Sequence, residues 1–162
     1  MISIENIEED AKEFCEDIKK IFNNNPYIVK RVCREDSRSN IDLYRAMPKY
    51  VHKMTYNNDQ SFTYKLVLTT FSNNSLFCSN DKSFGVACKE YQKNSSRSFE
   101  KRFLRLIEMD SRESIYEDRS LMHISKLLNK NQIYVDYVKL FVDLWFWGDN
   151  VKDRWARDFF AI

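Results

Sequence analysis

Two glycines and two prolines in 162 residues constrain this chain more than any other feature of it. Tight reversals between strands need Gly, Pro, Asn or Asp at particular turn positions. A β-sandwich or an α/β domain of this length would use many more of them. Helices joined by short polar loops need few. The sequence therefore predicts an all-α fold, a helical bundle. Its apolar residues (43 %, with 15 % aromatic) supply a core, and that content excludes a chain too polar to collapse.

Apolar spacing places the helices. Ile7, Ala11, Phe14, Ile18 and Ile21 form one stripe of a helix from about Glu5 to Phe22, ended by the asparagine run before Pro26. The polar stretch Tyr27 to Asn40 reads as a loop or a short helix. A helical stretch follows from Ile41 to Met54, interrupted at Pro48, and another from Asp59 to Phe71 despite its β-rich centre at Val67–Thr70. Further helices are expected over Phe84–Tyr91, from a Ser96 or Ser98 cap to Met109, and over Ser114–Asn129. Asp136 is the expected N-cap of a helix with Tyr137, Leu140, Phe141, Leu144 and Trp145 on one face. Gly148 ends it, and an Asn150–Asp153 capping box is expected to start a last helix through Phe160. The Ser/Asn-rich segment around residues 76–82 divides the chain into an N-terminal lobe (1–75) and a four-helix C-terminal lobe (83–162), together one compact unit.

Several function classes are excluded by what the chain does not contain. There is no nucleophile elbow, no zinc-protease motif and no glycine-rich phosphate loop. The Glu8–Glu9 and Glu35–Asp36 pairs lie in polar surroundings that would not tune them for acid–base work. Cys15, Cys33, Cys78 and Cys88 show no metal-site spacing and read as buried structural thiols; His52 and His123 have no partner at ligand spacing. No stretch reads as a signal peptide or as an apolar span of about 20 residues. The expectation is a non-enzymatic cytoplasmic protein without metal, cofactor or small-molecule substrate.

Charge is informative through its distribution, since the net is only +2. The first 20 residues are acidic, whereas Val29–Lys53 and Lys82–Arg105 are basic. On a helix, Phe99, Phe103, Leu106 and Ile107 share one face, and Lys101, Arg102 and Arg105 leave the other within about a quadrant. Three cations so close need a counter-charge. Acidic neighbours such as Glu108 or a phosphate backbone would each supply it. Lys30 and Arg31, with Arg34 and Arg38, form a looser cluster. Trp145 and Trp155 fall on core stripes; Trp147 falls off them and reads as an inter-subunit or inter-lobe contact.

The C-terminal half carries a resemblance. S-F-E-K-R-F-L-R-L-I-E-M-D (Ser98 to Asp110), L-M-H-I-S-K-L-L-N-K-N-Q-I-Y-V-D-Y (Leu121 to Tyr137) and L-W-F-W-G-D-N-V-K-D-R-W-A-R-D-F-F (Leu144 to Phe160) resemble, in order and spacing, motifs of the CasB family. S-F-G-V-A-C (Ser83 to Cys88) matches that family's S-L-G-x-A-L. CasB proteins are small subunits of the type I-E CRISPR Cascade complex. The resemblance implies a two-lobed helical protein that does no chemistry and works in antiviral defence. Its implied partners are the Cascade large subunit and backbone subunits, a second copy of itself, the guide RNA and the displaced strand of the target DNA, whose R-loop it would stabilise. It implies nucleic-acid contacts at Lys101 and Arg102, Lys126, Arg154 and Arg157, although Arg157 is also spaced to pair with Asp153. Lys stands at 101 where the family carries Arg, and Ser125 where some relatives carry a cation. The alternative is a scaffold that binds only protein, anchored by Trp147 or Tyr134.

Overall fold

The computed structural model describes residues 4–27, 45–55, 58–92 and 97–161. Among them the chain forms nine α-helices and no named strand. These are α1 (Ile4–Asn24), α2 (Val51–Thr55), α3 (Phe62–Asn73), α4 (Phe84–Gln92), α5 (Arg97–Ile107), α6 (Arg112–Asp118), α7 (Ser120–Lys130), α8 (Tyr137–Trp145) and α9 (Asp149–Phe160). Short 3₁₀ turns at Pro48–Tyr50 and Asp59–Ser61 lead into α2 and α3. The all-α expectation holds. Lys30, Arg31, Arg34, Arg38 and Cys33 lie outside the described residues.

One apolar cluster runs through the molecule from Ile7 on α1 to Phe159 on α9. Phe14 links its parts: its ring meets Tyr50, Tyr64 and Phe141 at centroid distances of 4.8, 4.9 and 5.8 Å. Helix α3 lies at the centre, packed against α6, α7 and α8. It remains helical through its β-branched centre because burial on several sides outweighs local preference. The Thr69 and Thr70 hydroxyls also find acceptors in their own helix, donating to the carbonyls of Lys65 and Leu66 at 2.7 Å.

The segment between α3 and α4 is tied down. Phe77 and Val135 form an isolated parallel bridge, with Val135 N–H donating to Leu76 O at 2.9 Å and Cys78 N–H to Val135 O at 3.1 Å. The buried Asn74 amide donates to Ile133 O at 2.9 Å, and Tyr137 Oη–H donates to Asn74 O. Asp136 caps α8 as expected, accepting Lys139 N–H at 3.0 Å, and its other oxygen accepts Asp81 N–H at 2.9 Å.

Three local expectations are corrected. The single helix expected over Ser114–Asn129 is two. Ser111 caps α6 by accepting Ser114 N–H at 3.0 Å, and Arg119, at φ 63°, turns the chain through the left-handed region before α7 starts. The carboxylate of Asp59, 53 residues back in the chain, accepts the N–H groups of Arg112 and Glu113 and so sets the start of α6. Helix α9 starts at Asp149 with Gly148 at its N-cap and no side-chain cap bond, so the Asn150 capping box does not form. Trp147 is a core residue, 8 % exposed, in edge contact with Trp155, and its Nε1–H donates to Met109 O at 2.9 Å. Buried on its own chain, it is no subunit anchor. Cys15 and Cys88 are buried thiols, and Cys78 is half-buried.

Candidate nucleic-acid interface

Helix α5 is a strongly two-sided element. Phe99, Phe103 and Leu106 are buried, with Phe103 stacked on Phe159 at 4.2 Å and Phe99 against Tyr91 at 4.3 Å. Those aromatic contacts fix the rotation of the helix, and Lys101, Arg102 and Arg105 are left exposed. On the neighbouring α7, Leu121, Ile124, Ser125 and Leu128 point inward. His123, Lys126 and Lys130 are consequently exposed. Ser125, where some relatives carry a cation, is fully buried and donates to Leu121 O at 2.7 Å.

The two helices pack side by side. Arg102 and Arg105 from α5, Asp118 from the end of α6, and Ser120 and His123 from α7 line a cleft of about 290 Å³ between them. Lys126 stands one turn beyond His123 on the same side of α7, and Lys101 one turn before Arg105 on α5. The structure therefore brings Lys101, Arg102, Arg105 and Lys126 onto adjoining surfaces of one helix pair. Nothing in sequence spacing pointed to His123 or Ser120 here, because their neighbours in space lie on another helix.

The counter-charge question has a split answer. Asp118 holds Arg105, its Oδ1 accepting from Nε at 2.9 Å and from Nη2 at 2.5 Å. Lys101, Arg102 and Lys126 face solvent, and no carboxylate among the described residues lies within ion-pair distance of them. Arg105 is exposed but the Asp118 side chain is mostly covered, so the pair is worth about 1 kcal/mol and Asp118 restrains Arg105 without locking it.

Arg154 and Arg157, on α9, are occupied differently. Arg154 reaches the buried Asp143, whose second oxygen accepts Trp155 Nε1–H at 2.9 Å. Burial raises the Asp143 carboxyl pKa; the Trp155 hydrogen bond and the Arg154 charge oppose this but do not cancel it. Arg157 pairs with Asp153 at 3.0 Å across one turn, as its spacing allowed, and both remain exposed. Elsewhere the Arg112 guanidinium is embedded, its side chain 11 % exposed. It donates to Asp59 Oδ2 at 2.6 Å, to Leu144 O at 2.6 Å and to Trp145 O, joining the turn before α3 to the end of α8. Among the described residues no group of three or more His, Cys, Asp or Glu converges, and no helix is long and apolar enough to cross a membrane.

Comparison with known proteins agrees with this architecture. The fold is similar to that in the crystal structure of CasB from Thermus thermophilus, with a TM-score of 0.68, covering 94 % of this chain and 98 % of that one at 18 % identity. At that identity the likeness speaks for the fold alone. No curated protein matches the chain. Residues 26–160 match the family model of the CRISPR-associated protein Cse2. That match takes in most of the chain, including every motif from Ser83 to Phe160, and so the chain belongs to the CRISPR-associated Cse2 family, the CasB family its sequence resembles.

Proposed function

We propose that this chain is the non-catalytic small subunit of a type I-E Cascade complex, and that it holds nucleic acid without sequence preference on the α5–α7 face. The supporting observation is the outward, unneutralised set Lys101, Arg102 and Lys126 beside the cleft. Clustered cations repel one another. A sugar-phosphate chain relieves that repulsion along its whole length and releases its own counterions. Exchange of a DNA duplex for a guide RNA–DNA hybrid is nearly balanced, so modest backbone contacts to the displaced strand are enough to favour the R-loop. In this reading the Cascade large and backbone subunits and a second copy of the chain are its protein partners, and guide RNA and target DNA are its nucleic-acid partners. Lys30 and Arg31 are proposed to extend the contact. Arg154 and Arg157 would take part only by exchanging Asp143 or Asp153 for phosphate.

The test is binding of labelled single-stranded DNA across a salt series. The log–log slope should be about −0.7 per phosphate neutralised, and a Lys101→Glu, Arg102→Glu variant should bind at least about tenfold more weakly and with a shallower slope. A folded variant that binds DNA as the parent does, and supports target binding by the assembled complex equally well, overturns the proposal. One observation favours the scaffold alternative: Tyr134, Phe146 and Phe160 are between 40 % and 49 % exposed and offer aromatic anchors to a protein partner. That reading predicts no shift of DNA by the isolated chain, even at low salt.

A further inference from the structure

The cleft between α5 and α7 holds a feature that a general basic surface does not require. Ser120, the first residue of α7, lines it and is only 7 % exposed, yet its hydroxyl is buried with no hydrogen-bond partner among the described residues. Buried hydroxyls are ordinarily satisfied, and one that is not calls for an explanation. The residue before it, Arg119, occupies the N-cap position of an 11-residue helix without making a side-chain cap bond. A guanidinium has no acceptor to offer the first-turn N–H groups. An uncapped helix N-terminus with its partial positive charge favours an anion. Among the described residues lining the cleft, Asp118 carries the one carboxylate, and it is bonded to Arg105.

We infer that this cleft is a seat for one phosphate group of a nucleic-acid backbone, occupied in the free protein by Asp118 acting as an internal stand-in. The inference rests on the nucleic-acid reading of the same face and assigns it a specific contact. The phosphodiester displaces the Asp118 carboxylate from Arg105 and takes the fork of Arg102, one turn earlier on the same α5 wall of the cleft. His123 donates a ring N–H. The Ser120 hydroxyl turns to a second staggered rotamer and donates to a non-bridging oxygen. About 290 Å³ is ample, since a water molecule takes roughly 30 Å³ and a phosphate group only a few times that. Phosphate suits the seat better than a carboxylate because it presents more acceptor oxygens to donors converging from α5 and α7.

Ser120→Ala tests the seat without altering charge. An unpartnered hydroxyl contributes nothing to the folded state, so the melting temperature should hold or rise. Affinity for a labelled oligothymidylate should fall about tenfold, as expected for one hydrogen bond to an anion. Because no cation is removed, the salt dependence should run parallel to that of the parent. Asp118→Asn, which releases Arg105, should tighten binding about threefold or more. The seat is overturned if Ser120→Ala binds as the parent does while Lys101→Glu, Arg102→Glu weakens binding, an outcome that leaves the broader reading intact. It also fails if Ser120→Ala loses affinity for a labelled oligoglutamate and not for the oligothymidylate. A parent chain that binds no DNA at low salt defeats both proposals.

Discussion

Replacement of Gly85 by alanine should destabilise the protein, although it puts the best helix former into the first turn of α4. Propensity alone predicts a gain of about 1 kcal/mol. The structure predicts the reverse. A Cβ built on Gly85 would lie 2.4 Å from Trp155 O, 3.0 Å from Trp155 Cα and 3.1 Å from its carbonyl carbon. Ordinary contact begins near 3.4 Å, so the closest approach is short by 3.4 − 2.4 = 1.0 Å. Every obstructing atom is backbone, and no rotamer change relieves the overlap. Helices α4 and α9 must separate, and with them the Phe84–Trp155 ring contact at 5.3 Å and the Ser83 Oγ–H donation to Asp158 at 2.6 Å. Overpacking of this kind costs about 1–3 kcal/mol, more where backbone meets backbone. The 2.4 Å approach to backbone selects the upper part of that range, and with the propensity gain set against it the net loss should be about 1–2 kcal/mol. For a chain of this length that lowers the melting temperature by roughly 2–8 °C. The other glycine provides the control. A Cβ on Gly148 meets Phe146 O at an ordinary 3.8 Å, so Gly148→Ala should be nearly neutral. Thermal unfolding followed by circular dichroism measures both variants. A Gly85→Ala protein as stable as the parent, or more so, would refute the argument.

Two further substitutions test the α3–α6–α8 junction. Arg112→Ala should cost about 3 kcal/mol in urea unfolding, since it strands the α8 carbonyls and Asp59 together. Full rescue by Arg112→Lys would sink that account, because an ammonium point charge does not span three acceptors. Asp59 predicts a pH effect. Burial alone would raise its carboxyl pKa, but the Glu113 N–H and the Arg112 side chain and N–H outweigh burial and hold it below the ordinary value. A depressed acid contributes stability above its unfolded pKa, about 3.9, and loses it as the pH falls through the folded value. The stability gap between the parent and Asp59→Asn should therefore be widest near neutrality and close below about pH 4. A gap that stays constant on acidification contradicts it. Asp143, shifted upward, acts in the opposite sense, so the difference between the two proteins, not the parent curve, is the quantity to read.

The sequence alone specified most of the helices and the apolar side of each, but not the break at Arg119 that divides Ser114–Asn129 in two. Glycine poverty and 3.6-residue spacing depend on local geometry alone, and so do the Asp136 cap and the inward stripe of α5. The glycine in S-F-G-V-A-C was visible as a motif residue; only the approach of the Trp155 backbone explains why it must be glycine. Tertiary structure decided what each outward or off-stripe residue meets. Trp147 fell off its stripe yet is buried, because the chain turns after α8 and lays it on Trp155. The partner of Arg105 is Asp118, 13 residues on, and not the adjacent Glu108. Arg154 finds Asp143 on another helix, whereas Lys101 and Arg102 find no carboxylate among the described residues. Periodicity specifies an angle around one helix axis. Which charge is neutralised depends on where two axes cross, and that is set by the packing of α5, α6 and α7 together.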